Sequence, residues 1–207
     1  MHKALVAVAA LLTTSTIAIA QQNTATDITN AQVQQVLKSP TKSVDHTLRV
    51  LDLGAYQLSV AVVKRGPTGQ AAGGAPRQRD PNAVACGLTA MPAGAKAGSS
   101  GGISHDDTAE TYIVISGSGT LVTGGQILNG TRSGADSEVT KILNGPSCSG
   151  TIVGNFVSRK VGVGDISVIP AGVPHGWTDI TTEVTYLSVR PDPKKVLEHG
   201  YVNPAIK

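Results

Sequence analysis

Charge and aromatic rings are both scarce in this sequence. Of its 207 residues 15% are charged and 3% aromatic, with one Trp and one Phe. So few charged and long-chain residues exclude a coiled coil or a helical bundle. The net charge of +3 is small and scattered, which excludes a nucleic-acid footprint. No run approaches 18 unbroken apolar residues, so no segment reads as a membrane span. Only two cysteines occur, and no CxxC pair or Cys/His cluster, which argues against a thiolate zinc site. Glycine, by contrast, is abundant, with 24 residues beside 11 prolines. Neither recurs with a period, so a collagen-like chain is excluded. Hydrophobic residues make up 40%, enough for a core in one domain. Short runs rich in Val and Ile, parted by glycine, predict an all-β fold with many turns.

The N-terminus reads as an address. Met1, His2 and Lys3 precede an apolar stretch from Ala4 to Leu12 that continues to Ala20. Ala18-Ile19-Ala20 before Gln21 fits a small-residue cleavage site, so residues 1–20 are expected to be a secretory signal peptide. Thr13, Thr14, Ser15 and Thr16 interrupt the apolar run and argue against an uncleaved anchor. The expected product is secreted or periplasmic, with no membrane span after cleavage. Export gives meaning to Cys86 and Cys148, since an oxidising compartment favours a disulfide between them. The alternative is two separate buried thiols.

Hydrophobic periodicity and turn residues order the rest. Residues 21–43 form an N-terminal extension with a short helix over 30–39, capped by Thr29 or Asn30 and ended by Pro40. Residues 44–207 form the main domain. Two strands are expected over 47–64, broken near Gly54, then a loop at 66–81 and a strand at 84–91. A strand, a turn at Gly117-Ser118-Gly119 and a second strand fill 111–123. Glycine pairs suggest an inserted loop or an extra hairpin at about 124–155, with a strand at 138–143 inside it. Further strands are expected at 151–163, 166–169 and 183–189. Pro191 and Pro193 should break the sheet, ahead of a short helix at 194–199. Eight to ten short strands in one domain suggest a barrel or jelly roll.

One segment carries the most information: Gly164-Asp165, four residues, then Pro170, Gly172 and His175. A turn leads into a short apolar strand, and Pro170 and Gly172 set a tight loop that delivers His175 to the next strand. Upstream, His105 precedes Glu110 with four residues between, and Gly117 follows after six more. These two patterns resemble the paired motifs of the cupin superfamily. Two departures stand out. The first histidine of the upstream motif is replaced by Ile103, and Asp179 stands where the family has Asn. The resemblance spans roughly residues 103–186. It implies an all-β, cupin-type double-stranded β-helix (jelly-roll barrel) with the short N-terminal helix appended. It also implies a small-molecule ligand and a homodimer.

At these positions His105, Glu110 and His175 make a set of two imidazoles and one carboxylate, which leaves open positions on a metal ion. A divalent ion is expected. With no thiolate donor, Fe, Mn, Ni or Zn fit, and the resemblance favours Fe or Mn. Asp107 offers a second ligand set with poorer spacing, and a metal-free barrel is a third outcome. Tyr112, two residues from Glu110, is a candidate catalytic base in lyase-type relatives, or simply packing. Ile103 leaves room for substrate, Trp177 could wall the pocket, and Arg190 could pair with a substrate carboxylate or form an ordinary ion pair. His46 and His199 lack supporting neighbours. Asp179 could orient a ligand imidazole or sit in a turn. The expected activity is oxidation or lyase/isomerase chemistry on a small organic molecule. The alternatives are a non-catalytic binding cupin and a structural dimeric cupin without metal.

Overall fold

A computed structural model describes residues 24–40, 43–68 and 83–207. The expected leader at 1–20 and most of the expected loop at 66–81 lie outside the described residues. Helix α1 spans Asn30–Leu37. Thr29 caps it: Gln32 N–H donates to Thr29 Oγ1, and Thr29 N–H donates to Gln32 Oε1. This reciprocal pair satisfies two otherwise orphaned donors. Val33 and Val36 turn inward and pack on Leu48 and Val62.

Strands β1 (Asp45–Asp52) and β2 (Gln57–Arg65) form the expected hairpin. β3 is only Ala85–Cys86, shorter than the strand expected at 84–91. β4 is Gly102–His105. β5 runs unbroken from Glu110 to Arg132. β6 is Ser147–Gly162, β7 Ile166–Ile169, β8 His175–Thr178 and β9 Val184–Asp192. All ladders between these strands are antiparallel. β1, β2, β9, the first half of β5 and β7 make one side. On the other side β5 pairs β6, β6 pairs β4, β4 touches β8, and β8 returns to β5. That ring closes the barrel.

The long β5 overturns two expectations. Gly117 does not turn the chain into a hairpin. Its φ of +70° and the register shift between Val114 and Ser116 crimp β5, so one strand serves both sides. Any Cβ there would collide with the Glu183 carbonyl. Of the two readings of 124–155, the hairpin stands and the inserted loop does not. Gly124 pairs with Phe156 and Arg132 with Cys148, so both arms are barrel strands and only residues 133–146 connect them. The glycines in these arms mark bulges, where the register shifts between Gly124 and Gln126 and between Leu128 and Thr131. The strand expected at 138–143 is a single π-helical turn, Val139–Leu143.

Two further expectations fail near the C-terminus. Pro191 does not break the sheet; it sits inside β9, opposite Leu58. Residues 194–199 are not helical. Lys195 has a φ of +51°, and Asp192 Oδ2 accepts from Leu197 N–H, which folds the segment into turns. The barrel interior is filled by Val63, Tyr112, Val114, Leu121, Ile169, Trp177, Tyr186 and their neighbours. Cys86 and Cys148 are bonded, joining β3 to β6. Among the described residues no helix is long and apolar enough to cross a membrane.

Candidate metal centre

Three neighbouring strand ends deliver the site. His105 is the last residue of β4, and Glu110 the first of β5, across a four-residue bend. His175 opens β8. The two histidine-bearing loops are stitched together, because Gly172 N–H donates to His105 O at 2.7 Å. Gly172 takes a φ of +78°, which an L side chain disfavours. The Pro-x-Gly turn therefore fixes where β8 begins.

The ligand atoms of His105, Glu110 and His175 all lie within 4.8 Å of one another. Their side chains are 1–3% exposed. His105 Nε2 is 3.2 Å and His175 Nε2 2.9 Å from the same oxygen, Glu110 Oε2. The opposite ring nitrogens are anchored. His175 Nδ1 is 3.0 Å from Val173 O, which can only accept, so Nδ1 carries the proton. His105 Nδ1 is 2.8 Å from Ser147 Oγ, whose own proton goes to Gly145 O. Nδ1 of His105 is therefore also the donor. In the neutral rings both Nε2 atoms then carry bare lone pairs that converge on a carboxylate oxygen. Burial pushes the His105 pKa down, outweighing the pull of Glu110, and keeps that ring neutral. The His175 contact is close but poorly directed, and its Nε2 has no hydrogen-bond partner. A buried nitrogen left so costs about 1–3 kcal/mol. Two bare nitrogens, one carboxylate oxygen and an orphaned acceptor fit a divalent cation.

The other carboxylate oxygen is held from behind. Arg190 Nε donates to Glu110 Oε1 at 2.7 Å, and Ser188 Oγ donates to it at 3.0 Å. Arg190 Nη2 reaches Asp45 Oδ2 at 2.8 Å, and Nη1 reaches Leu143 O at 3.1 Å. Burial works to raise the Glu110 pKa, but the Arg190 charge against it holds the carboxyl well below its ordinary range. Tyr112 donates its hydroxyl to Glu110 Oε2 at 2.8 Å. Burial, then the Glu110 charge, push the Tyr112 pKa well above 10. That favours the neutral phenol, a proton donor, over the phenolate that a base requires.

The remaining candidates fall as follows. Arg190 is wholly buried, with its donors engaged by Glu110, Ser188, Asp45 and Leu143, so it faces neither solvent nor an open pocket. Trp177 does wall the interior, nearly parallel to Tyr112 and Tyr186 with centroids 6.4 and 5.3 Å away. Ile103 lies two residues before His105 and beside His175 in the β4–β8 contact. Asp107 turns outward to Lys194 and stays outside the cluster. Asp179 accepts from Thr178 in a turn, while Val173, not Asp179, orients His175. His199 meets Gln57 and lies 3.7 Å from Asp52, and His46 sits in β1. Sequence reasoning missed Ser147 and Ser188, which hold His105 and Glu110 from 42 and 78 residues away along the chain, and Asp45, which holds Arg190 from 145 residues away.

No family model and no curated protein matches the sequence. Solved structures do. BH2720 from Bacillus halodurans is 12% identical, with 88% of this chain and 92% of that one covered and a TM-score of 0.39. A double-stranded β-helix domain protein from Klebsiella pneumoniae is 14% identical, with 80% and 89% covered and a TM-score of 0.37. A recombinant oxalate oxidase in complex with glycolate is 15% identical over 75% of this chain, with a TM-score of 0.35. The chain spans about half, 54%, of that enzyme's length. The closed ring of antiparallel strands is the jelly-roll barrel, or double-stranded β-helix, that the two histidine motifs led one to expect.

Proposed function

We propose that this protein is an exported, metal-dependent cupin acting on a small organic molecule inside its barrel. The observation that carries the reading is the convergence of two bare imidazole nitrogens on Glu110 Oε2. His105, Glu110 and His175 would hold the ion, with Fe or Mn favoured and Ni or Zn compatible with the same donors. When bound, it would supply Lewis-acid polarisation of substrate or redox chemistry with oxygen. The chain's own part is clearer. Arg190 and Ser188 occupy one carboxylate oxygen and leave the other for the ion. Ser147 and Val173 hold the imidazoles in the tautomer a ligand needs. Tyr112 brings a proton to the edge of the site, as a donor rather than the expected base. Export rests on the leader at residues 1–20, and the Cys86–Cys148 bond fits an oxidising compartment.

A second reading has one observation in its favour. The triad is 1–3% exposed, with the Tyr112 ring edge-on to His175 at 5.9 Å, and so closed a site suits a barrel that binds without turnover.

Elemental analysis of the purified protein tests the metal. About one Fe or Mn per chain is expected, and His105→Ala, His175→Ala and Glu110→Gln should each reduce it to trace. A wild type with trace metal, and no rise in Tm on adding any of the four ions, would sink the reading. Retained ligand affinity after chelation would select binding over catalysis.

A further inference from the structure

Arg65 is the last residue of β2, two positions beyond Val63. Val63 packs in the barrel interior with Tyr112 and Tyr186, and strand alternation puts Arg65 on that inner face. Its Nε donates to Tyr186 Oη at 3.1 Å. Tyr186 is wholly buried, whereas Arg65, at the end of its strand, is partly exposed. Arg190 is committed to Glu110 and Asp45, and Arg132 to Asp106. Arg65 forms no ion pair with any carboxylate among the described residues. An inward-facing cation without an acid is incomplete.

A second unsatisfied donor touches the same ring. Trp177 is buried, stacks on Tyr186 at 5.3 Å, and its Nε1–H has no acceptor. Both groups flanking Tyr186 donate, and neither finds an acceptor charge. The missing partner is therefore an anion. Arginine's planar fork matches a carboxylate in two parallel bonds. Asp45 acts on Arg65 from further off but is ion-paired to Arg190, and a positive charge so placed suits one negative charge better than a phosphate dianion. The position also connects to the metal centre: the Tyr186 ring lies 4.3 Å from that of Tyr112, whose hydroxyl meets Glu110 Oε2.

We propose that Arg65, with Tyr186 and the Trp177 indole N–H, anchors the carboxylate of a small organic acid inside the barrel. That such acids are the substrate class rests on the metal-centre reading above; the anchor itself does not.

Trp177 is the only tryptophan in the chain, so its fluorescence reports the site directly. Purified protein, with and without added Mn2+, is titrated with acetate, succinate, acetamide and inorganic phosphate. A saturable change with the carboxylates, and none with acetamide, is expected. Arg65→Met should weaken the carboxylate response at least about tenfold, with Mn2+ stoichiometry as in wild type. Arg65→Lys keeps the charge without the fork and should lose about fivefold, which decides the matter if Arg65→Met melts at room temperature. A wild type that shows no saturable response overturns the anchor, as does an Arg65→Met or Arg65→Lys protein that responds like wild type. Tighter binding of phosphate than of either carboxylate overturns the ligand class. If Mn2+ fails to bind while the Arg65-dependent response persists, the metal reading fails and the anchor stands.

Discussion

Ser147 donates its proton to Gly145 O and leaves its oxygen to accept from His105 Nδ1. That small group decides which imidazole nitrogen faces Glu110. Without it the ring can turn or take the other tautomer, and the lone pair no longer points at the cation. Supporting groups of this kind are worth 10- to 100-fold in metal affinity, so Ser147→Ala should weaken Mn2+ binding by about that factor. A fluorescence or calorimetric isotherm measures it, and an unchanged Kd would show that Ser147 is mere packing. Thr in place of Ser147 keeps the hydroxyl and should recover most of the affinity. At this scale the candidate ligands were legible, because His105, Glu110 and His175 fall at the spacings of the two motifs the sequence resembles, and the barrel brings them together. Their supports were not. Ser147 and Asp45 are ordinary polar residues until the barrel brings them to His105 and Arg190. Arg190 was noticed, but no local pattern distinguishes an arginine buried behind a carboxylate from one at a pocket mouth.

Among the elements, the disulfide binds the short β3 to the start of β6 across a separation of 62 residues. Gly130 lets it pack there, since an added Cβ would stand 2.7 Å from Cys148 Sγ. β3 pairs with β5 through only two residues, flanked by Arg132 N–H to Val84 O and Leu88 N–H to Ile127 O, and the covalent link adds to these. Replacing both cysteines with alanine should lower the unfolding free energy by about 2–4 kcal/mol. Urea denaturation of the two forms measures this, and equal midpoints would show that β3 is held by packing alone. The elements also show where sequence reading stopped. Helix α1, the β1–β2 hairpin and β7 followed from capping residues, alternation and a bounded apolar run. β5 and β6 did not, because Gly117, Gly124 and Gly125 have the same local signature in a bulge as in a turn. Only the cross-strand partner separates the two, and that partner is remote in sequence.

For the molecule as a whole, burying this site couples stability to pH. In the metal-free protein burial lowers the His105 pKa below its ordinary value of 6.5. The unfolded chain therefore takes up a proton on His105 at a higher pH than the folded one. Stability rises with pH wherever the unfolded state binds more protons, so it must fall as pH drops below about 6.5. Glu110 acts in the same direction at lower pH. Its folded pKa is held well below the ordinary range, so its contribution is full above the unfolded carboxylate pKa and fades as pH falls through the folded value. Two phases of acid destabilisation follow, one beginning near 6.5 and a second near the carboxylate range. In His105→Gln the first phase should shrink and the second remain, since Arg190 still faces Glu110. Thermal melts of the chelated protein between pH 7.5 and 4 would show this as a change of slope. A Tm that is level from pH 7.5 to 5, or a His105→Gln profile parallel to wild type, would mean that the buried imidazole does not set the acid limit of this barrel.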